Sequence, residues 1–181
     1  VPEILNILVL GGSQAAKSFG DLLPIIFEQC VKENIKIKIF QQCIESQVEK
    51  LNEIYKKLNI NFKLFKFTNN ISKYFSKTEL AITRSGSSIT AELINCRIPF
   101  ISIPYPYAAD SHQEKNAIYF KEKGYGFLVK ENEVNEKLFP LIKLLYKDKK
   151  LLGKMIEKQK NHSDKKALFK INRVIENLKN E

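Results

Sequence analysis

Ile4-Leu5-Asn6-Ile7-Leu8-Val9-Leu10-Gly11-Gly12-Ser13-Gln14 is an apolar run closed by two glycines. A run this short, bounded by a turn signal, predicts a buried strand. Paired glycines after it let the backbone turn tightly and approach a ligand closely. Strands buried on both faces belong to parallel sheets covered by helices.

The rest of the chain alternates in the same way. Residues 19–31 place Phe19, Leu22, Leu23, Ile26, Phe27 and Cys30 at helical spacing. Ile35-Lys36-Ile37-Lys38-Ile39 alternates as a strand does. Residues 45–58 return to helical period, and residues 62–67 alternate again. A short helix is predicted at 71–75, with Asn70 as its cap. Then come a strand at 80–83, a helix from 85 to 96 and a strand at 99–103. Ser111 is read as the cap of a helix reaching residue 123, followed by a last strand at 125–129. Residues 132–181 predict C-terminal helices, broken near 148–150 and 161–164. The alternation predicts one α/β domain over residues 1–181. Its core is a Rossmann-like open parallel sheet of about six strands with helices on both faces. In such sheets ligands bind beyond the carboxyl ends of the strands, so function is expected in the strand-to-helix loops at residues 11–18, 67–70, 84–88 and 104–113.

Composition narrows the function. The 181 residues are 44% hydrophobic, enough for one sizeable core. No apolar run approaches the ~20 residues of a membrane span, and no signal peptide is visible. The chain begins with Val1, not Met, and is read as a fragment of a longer one. Three scattered cysteines argue for reduced thiols in a cytosolic protein. With two histidines and no Asp-x-Asp, no metal site is expected. The net charge is +10, and residues 141–181 carry twelve basic and five acidic residues. That region reads as a solvated lysine-rich face or as attraction to an anionic membrane surface. Only three of the 30 basic residues are arginine, so nucleic acid is not the expected partner.

Three loops carry the candidate chemistry. The first, Gly11-Gly12-Ser13-Gln14-Ala15-Ala16-Lys17, leads into a helix start that offers N–H groups to an anion. It is neither a G-x-G-x-x-G nor a Walker A loop. The second strand ends on Phe40-Gln41-Gln42, without the acid that would hold the ribose of a dinucleotide. The second loop, Arg84-Ser85-Gly86-Ser87-Ser88, suits a phosphate at a helix start. Glu92, further along that helix, reads as an acceptor for both hydroxyls of a ribose or as a solvated carboxylate. Arg84 reads as a phosphate partner or as a buttress of the loop. The third loop runs from Pro104 through Tyr105, Pro106 and Tyr107 to His112, Gln113 and Asn116. Its polar side chains read as partners for sugar hydroxyls, with His112 alternatively a general base or part of a helix cap. Two phosphate-type loops, a diol-type glutamate and a polar sugar-type loop together point to a nucleotide-sugar site.

The runs Leu8-Val9-Leu10-Gly11-Gly12-Ser13-Gln14, Thr83-Arg84-Ser85-Gly86 through Ala91-Glu92, and Pro104-Tyr105-Pro106 through Asp110-Ser111-His112-Gln113 and Asn116-Ala117 resemble the C-terminal domain of the MurG family. That family transfers N-acetylglucosamine to the undecaprenyl-pyrophosphoryl-muramoyl-pentapeptide precursor of peptidoglycan. The resemblance covers nearly the whole chain and implies one half of a two-domain GT-B glycosyltransferase that inverts at the sugar carbon. It implies UDP-N-acetylglucosamine as donor and no cofactor. Ser13 would contact the donor's phosphate region, Gly12 and Gln14 beside it would belong to the donor site, and the backbone of Thr68 would read the uracil edge. Ser87 and Ser88 would offer N–H groups, Glu92 would hold the ribose, and His112 and Gln113 would reach the sugar. It further implies an N-terminal acceptor domain beyond this chain, a lipid-linked acceptor, and a cytoplasmic position on the inner face of the bacterial membrane. Ala15 departs from the family's usual Gly-Gly-Ser-Gln-Gly-Ala loop, and a positive φ there would cost about 1 kcal/mol. Two other readings remain at this point: a separate nucleotide-sugar subunit of another N-acetylglucosaminyltransferase, and a UDP-N-acetylglucosamine 2-epimerase-like domain.

Overall fold

A computed structural model describes residues 4–162, apart from the side chains of residues 13–16. Six strands form one sheet in which every neighbouring pair is parallel. They are β1 (Leu5–Leu10), β2 (Ile37–Gln42), β3 (Asn61–Phe65), β4 (Leu80–Thr83), β5 (Phe100–Ser102) and β6 (Gly126–Leu128). Between and after them come α1 (Gly12–Lys32), α2 (Val48–Lys57), α3 (Ser72–Phe75), α4 (Ser87–Asn95), α5 (His112–Glu122), α6 (Val134–Lys147) and α7 (Lys149–Lys160). The spatial order is β3-β2-β1-β4-β5-β6. The chain starts at the centre, builds one edge, then returns to build the other, so the order reverses between β1 and β4.

Side-chain alternation along β1 sets up the layers. Leu5, Ile7 and Val9 enter a core with Phe19, Leu23 and Phe27 of α1, Tyr55 of α2 and Leu138 of α6. Leu8 and Leu10 enter a second core with Phe75 of α3, Leu93 of α4 and Phe100 of β5. Both sets are buried, so β1 has no polar face. Each fully buried aliphatic side chain contributes roughly 1.5–3 kcal/mol by leaving water.

Several boundaries differ from the sequence expectation. α1 starts at Gly12, not near residue 19, because residues 12–18 hold no large apolar residue, so hydrophobic period gives no signal there. β3 ends at Phe65, and Phe67 leaves the sheet to stand 81% exposed. Asn70 is not the cap of α3: its Oδ1 accepts from the Ser72 hydroxyl (2.7 Å) and its N–H donates to Thr68 Oγ1 (3.1 Å). Ser111 does precede α5 but makes no capping hydrogen bond; it and Asp110 are left-handed, with φ of 52° and 49°. The break near 148–150 is present, with Asp148 accepting from the Lys150 N–H at 3.0 Å. The helix expected beyond residue 162 lies outside the described residues.

Two contacts fasten α7, the last described helix. Gln159 of α7 is buried and donates its amide to the carbonyls of Ile98 (3.0 Å) and Tyr125 (2.9 Å). These carbonyls precede β5 and β6. At the strands' amino ends, Glu79 accepts from the backbone and side chain of Asn6, both at 3.0 Å, and from Lys149 Nζ at 2.6 Å. Partial burial raises the Glu79 pKa, but those hydrogen bonds and the Lys149 charge outweigh it and hold it below the ordinary glutamate value.

A Cβ on Gly126 would stand 2.3 Å from the Phe100 carbonyl oxygen, a backbone atom that cannot step aside. Gly126→Ala is expected to destabilise by about 1–3 kcal/mol, a drop of several degrees in a thermal melt. The depressed Glu79 pKa stabilises the fold above the unfolded value and loses that contribution as pH falls through the folded one. Glu79→Gln should therefore lower the melting temperature at pH 7, with the gap to the parent closing below about pH 4.

Candidate functional site

The strand order brings five loops to one edge of the sheet. At their centre lies a cavity of about 490 Å3. After β1 it is lined by Gly11 and Gly12, and at the end of β2 by Gln42. Phe65, Phe67, Thr68 and Ile71 line it after β3, and Arg84, Gly86, Ile89 and Glu92 after β4. Tyr105 and Gln113 close it after β5. Because β3 and β5 lie on opposite sides of β1 and β4, the cavity has an ordered length. Its β3 end is aromatic and aliphatic, its middle is glycine backbone, and its β5 end is a tyrosine and an amide.

Gly12 makes the first turn. Its φ is 70°, a left-handed angle that L side chains resist, although a Cβ there would meet nothing within 4 Å. Its N–H donates to Gln42 Oε1 at 3.2 Å. Ala15 falls within α1, so the left-handed position of this loop is a glycine and not the alanine. No side chain caps α1 and no acid stands in its first turn, so its positive end is presented at the cavity. The side chains of Ser13 and Gln14 lie outside the described residues.

α4 presents a second helix start. Gly86 is its extended N-cap, with no side-chain cap, and Ser87 and Ser88 stand exposed in its first turn. Thr90 returns its hydroxyl to the Gly86 carbonyl at 2.7 Å, which fixes the turn. Glu92 is exposed and stands on the wall near Ile89. At the end of α4, partial desolvation and the Glu92 charge hold the exposed Cys96 thiol above its ordinary pKa.

Several residues expected at a ligand instead hold the frame. Ser85 is fully buried, so its side chain does not face the cavity. Its N–H donates to Gln113 Oε1 (3.3 Å), and its carbonyl accepts from Asn116 Nδ2 (3.0 Å). Gln113 Oε1 also accepts from the Tyr105 N–H at 3.0 Å, and only its amide remains for the cavity it lines. Asn116 and His112 lie off the cavity wall. His112 Nδ1 is 2.7 Å from the Ala109 carbonyl and therefore donates, which leaves Nε2 the acceptor in the neutral ring. Polar residues at a helix start are drawn to the unpaired groups of the preceding turn, and here those turns win.

Arg84 resolves toward the buttress. It is 4% exposed, and Nη1 donates to the carbonyls of Ile103 (3.1 Å) and Pro104 (3.2 Å). Nη2 donates to Ser18 Oγ and Glu131 Oε2. The guanidinium lies 4.5 Å from the Phe19 ring centre and 5.5 Å from that of Tyr105. Burial pulls its pKa down, and the Glu131 carboxylate opposes that pull. One group thus joins the loops after β4 and β5, helix α1 and the turn after β6.

Sequence reading missed Gln42, Phe65, Phe67, Ile71, Ile89 and Tyr105 as cavity wall. Phe65, Ile71 and Ile89 pack as ordinary core residues do, so nothing in their spacing marks them. Tyr105 and Phe67 both lie in loops where function is expected, and the exposure of Phe67 emerges only once β3 is seen to end before it.

Comparison with known proteins places this geometry in a family. Residues 6–171 match the glycosyltransferase family 28 C-terminal domain. A relative from Pelagibacter ubique is 38% identical over 135 residues, covering 75% of this chain and 38% of the relative. One from Rickettsia bellii is 36% identical over 144 residues, covering 76% and 40%. Both are named UDP-N-acetylglucosamine--N-acetylmuramyl-(pentapeptide) pyrophosphoryl-undecaprenol N-acetylglucosamine transferase. The chain thus spans about two fifths of these relatives. The crystal structure of Acinetobacter baumannii MurG superposes with a TM-score of 0.83 at 28% identity, covering 97% of this chain and 52% of that one. On its match, its six-stranded sheet and its relatives, the chain belongs to the glycosyltransferase family 28 C-terminal domain family.

Proposed function

We propose that this chain is the donor-binding half of a GT-B glycosyltransferase that takes N-acetylglucosamine from UDP-N-acetylglucosamine. The observation that carries this reading is the order of groups along the cavity. The Phe65, Phe67 and Ile71 end suits a flat base, with the Thr68 backbone at its edge. Glu92 stands where two hydroxyls of a ribose can share one carboxylate. Gly12 and the start of α1 suit the diphosphate, with Gly86 and the first turn of α4 nearby. Tyr105 and the Gln113 amide are left for the sugar.

In this scheme a direct displacement inverts the anomeric carbon as negative charge gathers on the departing UDP. Each uncapped helix start stabilises that charge by about 0.5–2 kcal/mol. The scheme calls for no cofactor and takes no nucleic acid. The acceptor, a lipid-linked muramoyl-pentapeptide as the relatives' names state, would be held by an N-terminal domain outside this chain. No described helix is long and apolar enough to cross a membrane. The lipid acceptor would bring the complete enzyme to the inner face of the bacterial membrane as a peripheral, cytoplasmic protein.

Calorimetric titration with UDP-N-acetylglucosamine tests the reading, with UDP, UDP-glucose and NAD as controls. Saturable binding of the N-acetyl sugar is expected, weakened about tenfold or more by Glu92→Ala through loss of a charged hydrogen-bond acceptor. A chain that takes up no uridine nucleotide would refute the donor assignment. The isolated 181 residues are expected to bind donor without transferring it. Sugar transfer to a lipid-linked acceptor by this chain alone would contradict the division of labour.

A further inference from the structure

We infer that Glu131, acting through Arg84, is a positioning residue that sets how tightly the site grips the sugar half of its nucleotide sugar. The inference rests on the donor reading above and deepens it. Tyr105 is a partition. It lines the cavity described above, and its other side faces a second cavity of about 500 Å3. That second space is walled by Leu22, Pro106, Tyr107 and Lys130, among others. With room on both sides, packing alone does not confine the ring. The Tyr107 ring touches it edge-on, with centroids 5.7 Å apart, but Tyr107 is itself 82% exposed. The buried contact is Arg84, whose guanidinium lies 5.5 Å from the ring centre and also grips the carbonyl of the preceding residue, Pro104.

Arg84 in turn is aimed by Glu131. The guanidinium needs a counter-charge in this buried place, and Glu131 Oε2 supplies it while also accepting from Ser18 Oγ at 3.1 Å. Glu131 is a firm anchor. It opens the turn Glu131–Glu133 that leads into α6, and the turn is tied back through the Lys130 N–H to Glu133 Oε2 at 3.4 Å. The neighbouring Lys130 is ion-paired to Glu114 of α5 at 2.7 Å. The path therefore runs from the β6–α6 turn through a buried ion pair to the ring at the β5 end of the donor cavity. That end faces the sugar, while base and diphosphate lie against residues after β3 and β1. Without Glu131, Arg84 and Tyr105 would have to be ordered by the ligand itself, at the expense of affinity for the sugar alone.

The test compares affinities for UDP-N-acetylglucosamine and for UDP by calorimetry, with a melt of each variant. Glu131→Ala is expected to weaken UDP-N-acetylglucosamine roughly tenfold and to change UDP less than about twofold. Glu131→Gln keeps an acceptor for Arg84 and should restore most of the ratio. If the alanine protein fails to fold, Glu131→Asp serves, because it keeps the charge but withdraws it by one methylene; a severalfold loss confined to the sugar nucleotide is expected. A folded alanine or aspartate variant with an unchanged ratio overturns the proposal. So does a parallel loss for both ligands, which is what loosened structure alone would produce. A parent chain that binds neither ligand is a different result: it overturns the donor reading, and this inference with it.

Discussion

A strand at the centre of a parallel sheet has no side left for water. β1 is paired on both edges and covered on both faces, and its neighbours are little different. Polar chemistry is thereby pushed toward strand ends and helix termini, and a buried polar side chain such as Gln159 is kept where it satisfies backbone carbonyls. The reversal of strand order between β1 and β4 then separates the loops on either side of that point. This leaves a trough across the sheet edge in place of a closed surface.

At that edge the side chains divide between holding and presenting. The Gln113 carbonyl, the Asn116 amide and the Arg84 guanidinium are turned inward onto backbone groups of the loops. Each such bond is worth only about 1 kcal/mol net, but an orphaned buried partner would cost more. What faces the trough is glycine backbone at its middle, with aromatic and aliphatic side chains such as Phe65 and Ile71 at one end and Tyr105 at the other, and Glu92 on its wall. A ligand of this domain would meet a surface whose precision is set one layer below it.

The fold was legible because burial imposes period. Apolar runs bounded by glycine marked β1, and alternation marked β2, while the amphipathic spacing of Leu51 and Tyr55 marked α2. The frame of the site was less legible, since a buried guanidinium and a phosphate-binding one look alike in a sequence. Ser85 and Asn116 read as ligand partners for the same reason: small polar residues at a helix start fit a ligand and a backbone carbonyl equally well. Gln42, Ile71 and Ile89 could not be found at all from spacing. They meet only because β2, β3 and β4 end at the same edge, and that juxtaposition belongs to topology.

The two amide bonds of Gln159 bear on how the chain is made. β5 and β6 are three residues each, and the carbonyls just before them are satisfied by a side chain near the end of the last described helix. During synthesis the first four strands and their helices are complete while that side chain has yet to be added. The later half of the sheet then carries buried acceptors without donors, and they remain so until α7 leaves the ribosome and docks. A nascent chain stalled ahead of α7 would hold an ordered β1–β4 half beside an unfinished edge, a form suited to recognition by chaperones.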